Sequence, residues 1–248
     1  MNAPCKAWDL MSDSTVHLQP AFILQQRKFK ETSLIIDVLT RDFGRVSLVA
    51  KGVRKAKSKT AGLLQPFIPL TLSYFGKAEL KVLTDVEAIP PFIQLQGLAL
   101  YCGFYVNELV ECFLHHHDPH PEVFAYYSEC LASLTDSTKI EAALRIFELN
   151  LMEAVGYGLQ LDYDFHNERP VDPLQKYHFN AEQGPLQALD GHFSGKTLQA
   201  MTSREFTDPQ VLIEAKTLMR SAIAIYLHGK PLKSRIVINK IIQHTNNG

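Results

Sequence analysis

Apolar and polar positions alternate along the N-terminal third of the chain. Ser33 to Arg41 is rich in Leu, Ile and Val, and Val46, Leu48 and Ala50 then alternate with Arg45, Ser47 and Val49. Asp42-Phe43-Gly44 has the composition of a turn between these two runs. Leu70, Leu72 and Tyr74 alternate in the next run, and after Gly76-Lys77 the residues Leu80, Val82 and Val86 share one side of another. With Val16 to Gln25 as the opening strand, the pattern predicts five short strands joined mostly by short turns, a small antiparallel barrel. Five strands is the count of the oligonucleotide-binding (OB) fold.

Pro90-Pro91 marks a boundary, after which the period becomes helical. Leu98, Cys102, Tyr105, Leu109 and Cys112 recur at helical spacing, as do Ile140, Leu144, Phe147 and Leu151 behind Thr138-Lys139-Ile140-Glu141, which has the form of a capping box. Val211, Ala215, Leu218, Ala222 and Ile225 repeat the pattern behind Asp208-Pro209, an N-cap followed by proline at the first helical position. A final short helix is expected from near Ser234. Between Gly156 and Asp190 the helical period lapses, and Tyr177, Phe179, Leu186 and Leu189 point to a hairpin around Glu182-Gln183-Gly184. The fold class read from this pattern is α+β. Residues 1–89 form an OB-fold domain, and residues 90–248 form a mainly α-helical domain with a small irregular or β insertion at about 156–192.

Charge changes the picture. The formal net charge of −1 over 248 residues says little about partners, but its distribution is uneven. From Phe22 to Thr60 ten Lys or Arg stand against three acids, a local +7 that leaves −8 for the rest of the chain. A basic segment on an otherwise acidic chain fits one surface that attracts a polyanion. The sharpest feature is Ala50-Lys51-Gly52-Val53-Arg54-Lys55-Ala56-Lys57-Ser58-Lys59, with five cations in nine residues from Lys51 and no acid. Such a run repels itself unless an anion is close, and it lacks the apolar period of a packed element. A barrel-edge loop presenting Lys and Arg to phosphates uses each of these features, and its binding weakens steeply with salt. A loop that merely solubilises the barrel is the plain alternative. Arg27, Lys28 and Lys30 extend the basic stripe, and Phe29 and Phe43 are either base-stacking rings or core.

The remaining motifs carry less. Four cysteines (Cys5, Cys102, Cys112, Cys130) without C-x-x-C spacing read as buried free thiols of a reducing cytosol. The first twenty residues lack a basic start followed by an apolar stretch, and Leu98 to Leu114 is too short and too charged to span a bilayer, so a soluble cytoplasmic protein is expected. His115-His116-His117-Asp118-Pro119-His120 looks like a metal site, but adjacent histidines on a helix diverge, and solvation of a helix end is the better reading. His178, His192 and the Asp162/Asp164/His166 group also lack ligand spacing, so no metal is expected. Gly195-Lys196-Thr197 resembles the end of a phosphate-binding glycine loop, but Asp190 occupies the position where its first glycine belongs. No catalytic constellation is visible and no cofactor is implied.

Four segments in their order and spacing resemble the bacterial recombination mediator family RecO. These are Ala21-Phe22-Ile23-Leu24, Ala50-Lys51-Gly52-Val53-Arg54-Lys55, Leu64-Gln65-Pro66-Phe67 and Gly229-Lys230-Pro231-Leu232-Lys233-Ser234-Arg235. The resemblance spans roughly Val16 to Ile238. It implies an OB domain followed by a helical domain, binding of ssDNA and dsDNA, and annealing of complementary strands. It also implies cooperation with RecR to load RecA onto DNA coated by single-stranded-DNA-binding protein (SSB), contact of the helical domain with the acidic, hydrophobic SSB tail, and a nucleoid-associated place in the cytoplasm. Many members carry a four-cysteine zinc module after a Gly-Tyr-Gly-like segment. Here no cysteine follows Gly156-Tyr157-Gly158, so the chain resembles the zinc-free branch. The residues expected to meet DNA are Arg27, Lys28, Lys30, Lys51, Arg54, Lys55, Lys57 and Lys59, with Lys233 and Arg235 of the tail added, although Ser234 there can equally be a helix cap. Two other classes remain open: a protein-interaction scaffold whose loop meets an acidic partner, and a metal-dependent nuclease using Asp162 and Asp164.

Overall fold

The computed structural model describes residues 15–56, 58 and 60–246; Cys5, Lys57 and Lys59 lie outside them. Five strands, β1 (Thr15–Phe29), β2 (Ser33–Thr40), β3 (Gly44–Ala50), β4 (Leu70–Phe75) and β5 (Leu80–Ala88), close into a barrel of order β1-β2-β3-β5-β4. The barrel is not wholly antiparallel as expected: β3 and β5 pair in parallel, Ser47 beside Leu80 and Val49 beside Val82. An odd number of strands cannot close with every neighbour antiparallel, so one parallel pair is required. Ala21, Ile23, Ile36, Val38, Val46, Leu48, Leu70 and Leu72 fill the interior.

The opening strand runs beyond Gln25 to Phe29, because Arg27 and Lys28 pair with Ile35 and Leu34 of β2. Its register shifts between Ile23 and Gln25, which leaves Leu24 as a bulge. Phe22 and Leu24 leave the barrel core and join the core of the helical domain, so Ala21 to Leu24 is buried on both faces and reads as a continuous apolar run.

The helical domain contains α1 (Gly97–Phe113), α2 (Pro121–Ser133), α3 (Ile140–Ala154), α4 (Gly195–Ser203), α5 (Pro209–Tyr226) and α6 (Lys233–Asn246). Asp208 caps α5 as expected, accepting from the Gln210 amide at 2.8 Å. The capping box at Thr138 does not form. The Thr138 hydroxyl donates to Asp136 at 2.6 Å, and Glu141 is held by Arg145 and Lys216, so neither partner is left for the helix end. The last helix is longer than expected, and Glu108 of α1 caps it, accepting from the amides of Lys233 at 2.8 Å and Ser234 at 2.9 Å. Ser234 donates its hydroxyl to the same carboxylate, so it is not itself the cap.

Between α3 and α4 lies the insertion. It comprises the pair β6 (Tyr163–Asp164) and β7 (Arg169–Pro170), and the sheet β10-β8-β9, formed by β8 (Lys176–Asn180), β9 (Gly184–Gln187) and β10 (Phe193–Ser194). The expected hairpin is β8-β9, turning at Gly184 with φ +74°. Leu189, assigned to its apolar side, is instead almost fully exposed, as is Leu174. Asp164 is buried and accepts from the amides of His166, Asn167 and Gln187 and from the Asn167 side chain, at 2.8 to 3.1 Å. Packing and these hydrogen bonds hold the insertion.

Candidate nucleic-acid interface

β1 and β2 join at a turn directly beside the exit of β3, because Leu34 pairs with both Lys28 and Ala50. This register brings two separate basic segments to one end of the barrel. Arg27, Lys28 and Lys30 come from β1 and its turn, Lys51, Arg54 and Lys55 come from the loop after β3, and all six side chains are exposed. Val53 is buried in the barrel core and anchors the loop, while Gly52 adopts φ +71° to let it turn. The Arg54 amide donates to the Thr32 carbonyl at 2.9 Å, and its guanidinium donates to the Lys30 carbonyl at 3.2 Å, tying the loop to the turn.

Lys30 lies over the Phe29 ring, 5.4 Å from its centroid. Among the described residues none of the six cations has an ion pair. Glu31 stands in the turn, and Asp85 of β5 shares a small cleft with Lys51. Exposed cations without ion pairs, held on a rigid frame, have the chemistry to contact phosphates without reading bases.

The other cations of the basic segment do different work. Arg41 is paired with Asp42 at 2.9 Å in the turn at the opposite end of the barrel. Arg45 is buried, and its guanidinium donates to the carbonyls of Glu111 at 2.6 Å and Leu114 at 2.8 Å, closing the C-terminus of α1. Phe43 belongs to that end as well, edge-on to the buried Tyr74, and is separated from the basic loop. The histidine run follows α1 and is not helical. The His117 amide donates to the Arg45 carbonyl at 2.9 Å, and Gly44 (φ +64°) lies so near the Asp118 carbonyl that a Cβ there would be 2.1 Å away. Its backbone is a clasp between barrel and helices.

The tail residues divide. Lys233 is exposed and among the described residues its side chain has no ion pair, whereas Arg235 lies across α1, donating to the Tyr105 hydroxyl at 2.8 Å with its guanidinium 5.2 Å from the ring centroid. Beneath it, Tyr105 donates to Glu148 at 2.5 Å, and Arg145 forks onto the same buried carboxylate. Burial and the Glu148 carboxylate push the Tyr105 hydroxyl well up, so it stays protonated as a donor. This cluster floors a small cleft of about 70 Å³ between α1, α3, α5 and α6, with Leu98 and Ile238 on its apolar side and Lys216, Arg220 and Arg235 as its cations. Lys216 and Arg220 carry no signal in the sequence, since both sit among the polar positions of an ordinary amphipathic helix.

Other candidates resolve as structure. The polar contacts of Asp164 are to backbone amides and the Asn167 side chain, and no group of three His, Cys, Asp or Glu among the described residues is placed to hold a metal. Lys196 pairs with Asp208 at 2.5 Å, and Thr197 is buried against Glu214. Cys102 and Cys130 are buried, but Cys112 is exposed, contrary to expectation. No helix among the described residues is long and apolar enough to cross a membrane.

The family profile described as Recombination protein O N terminal matches residues 11–92, and that described as Recombination protein O C terminal matches residues 94–236. A protein of Nitrosospira multiformis named DNA repair protein RecO is 40% identical over 231 residues, covering 91% of this chain and 96% of that protein. Proteins of the same name from Methylococcus capsulatus and Escherichia coli are each 42% identical, over 224 and 221 residues; they cover 90% and 88% of this chain, and 93% and 91% of their own lengths. With an OB-like barrel, a helical domain and matches that run through both, the chain belongs to the RecO family of DNA repair proteins.

Proposed function

We propose that this protein is a non-catalytic recombination mediator that binds ssDNA and dsDNA at the basic end of its barrel and anneals complementary strands. The observation that carries the reading is the convergence of Arg27, Lys28, Lys30, Lys51, Arg54 and Lys55, unpaired, on one end of a closed barrel. Phosphates of one strand held there lose much of their repulsion for a second strand, and base pairing then drives annealing. Photocrosslinking of bound oligothymidylate and mapping of the attached peptides tests it. Attachment within 27–55 is expected, and attachment confined to the insertion would refute it.

The family membership supports a wider role, in which the protein works with RecR to load RecA onto SSB-coated strands in the cytoplasm, at the nucleoid. The cleft under Arg235 supports contact with the acidic, hydrophobic SSB tail there, with apolar walls at Leu98 and Ile238 and cations at Arg220 and Arg235, while its Lys216 is already paired with Glu141 at 2.6 Å. A labelled peptide ending in acidic and aromatic residues should bind the wild type and lose at least about tenfold in affinity to Arg220→Ala, an effect of the size expected for a charge-assisted contact. Equal binding would exclude this cleft.

A further inference from the structure

A groove of about 780 Å³ runs between the barrel and the helical domain, with β1 on one side and α1 and the segment joining α5 to α6 on the other. The geometry points to this groove as a binding site for single-stranded nucleic acid, continuing the track from the basic end of the barrel toward α6. The inference rests on the reading of that basic end and extends it.

Continuity is the first argument. Gln25 and Gln26 line the groove and are followed on the same strand by Arg27 and Lys28, so at about 3.3 Å per residue the groove opens within roughly 10 Å of the cations. Charge is the second. Lys230 and Lys233 are exposed on the far wall, and among the described residues neither has an ion pair. Of the two acids in the groove, Glu108 is already engaged, capping α6 with both oxygens, which leaves Glu111 facing the two lysines.

The third argument is the aromatic and amide lining. Phe104 is 41% exposed in the groove and braced by Phe67, ring centroids 5.1 Å apart. The side-chain amides of Gln26 and Gln65 are exposed with no hydrogen-bond partner among the described residues, while the Gln25 side chain donates to Asp37 at 2.9 Å. An exposed ring stacks on an unpaired base, and amides hydrogen-bond any base edge. A duplex keeps its base faces inside and offers Phe104 nothing to stack on, and a volume of this class holds only a few nucleotides. The groove therefore suits a single strand.

Cys112 lies in the groove and is exposed, while Cys102 and Cys130 are buried, so its alkylation reads occupancy directly. The test uses the full chain with oligothymidylates of about six and about twenty-five nucleotides, a length for the barrel alone and one that outruns it. N-ethylmaleimide labelling of the Cys112 peptide is followed by mass spectrometry. The long oligomer should slow labelling at least about fivefold and the short one should not. In Lys230→Ala/Lys233→Ala the salt slope for the long oligomer should fall by about 1.4, at about 0.7 per lost phosphate contact, with the short oligomer unaffected. Binding of both oligomers with free labelling and an unchanged slope overturns the groove and leaves the barrel reading standing. Failure of either oligomer to bind overturns the barrel reading and the groove with it. Stronger protection by duplex than by single strand overturns the choice of ligand.

Discussion

Asn107 of α1 donates its side-chain amide to the carbonyl of Leu24, the bulged residue of β1, at 2.7 Å. A bulge leaves a backbone carbonyl out of the ladder, and a buried carbonyl without a partner is costly. Asn107 removes that cost and fixes the barrel on the helices, while its own oxygen accepts from Tyr127 at 2.6 Å. Asn107→Ala leaves both partners unsatisfied. Urea unfolding should show a loss of about 2 kcal/mol, within the range for an orphaned buried group. A change under about 0.5 kcal/mol, the scale of an ordinary surface substitution, would contradict this role.

Gly44→Ala tests the clasp at the other end of the barrel. Its φ of +64° strains any L side chain, and the new methyl would sit 2.1 Å from the Asp118 carbonyl oxygen, which is backbone and cannot rotate away. A loss above about 1 kcal/mol is expected, since the change fails on both conformation and space. A thermal melt unchanged from wild type would contradict it.

Arg145→Met leaves Glu148 buried without its cation and Tyr105 without a fixed acceptor. Breaking a buried pair from one side costs about 3–5 kcal/mol, far more than an exposed pair. The double change Arg145→Met/Glu148→Leu should recover much of the loss. Failure of the second substitution to restore stability would show that the loss is one of packing, not of charge.

The insertion should loosen in acid. Burial alone raises the Asp164 carboxyl, but hydrogen bonds from the Asn167 side chain and from the amides of Asn167, Gln187 and His166 more than reverse it and hold it below the ordinary 3.8. A depressed folded value means that the ionised form stabilises the fold. The contribution is complete above 3.8 and is lost as pH falls through the lower folded value. The stability difference between wild type and Asp164→Asn, followed by denaturant titration from neutral pH downward, should therefore shrink toward zero in that window. A difference independent of pH would contradict the assignment.

β3, β4 and β5 were legible by a period of two, which one face in a closed core imposes, whereas β1 and β2, buried in part on both faces, were legible as apolar runs. Pairing leaves no such mark, so the parallel contact between β3 and β5 was not legible. The basic loop was legible as charge density. Arg27, Lys28 and Lys30 were legible as an extension of the stripe, and the register of β1, β2 and β3 supplies the geometry that brings them beside it. Arg45 carries the same charge as its neighbours in the sequence, yet the open C-terminus of α1 claims it, and nothing local separates it from Arg54. The histidine run masks the start of α2 in the sequence, although Pro121 at that start with Val123, Tyr127 and Cys130 at helical spacing is a usable signal. Tertiary capping by Glu108 and the cations of the α5 face lie beyond any sequence pattern, because distant segments create them.

In the proposed function, the end of the barrel at Lys51, Arg54 and Lys55 holds phosphates. The most direct measurement is the affinity for a single-stranded oligonucleotide against salt concentration, for wild type and Lys51→Ala/Arg54→Ala/Lys55→Ala. The wild-type logarithmic slope should be steep, and the variant's should be shallower by about 2, at about 0.7 per lost phosphate contact, with weaker binding at moderate salt. A variant whose slope and affinity match the wild type would show that the phosphates lie elsewhere.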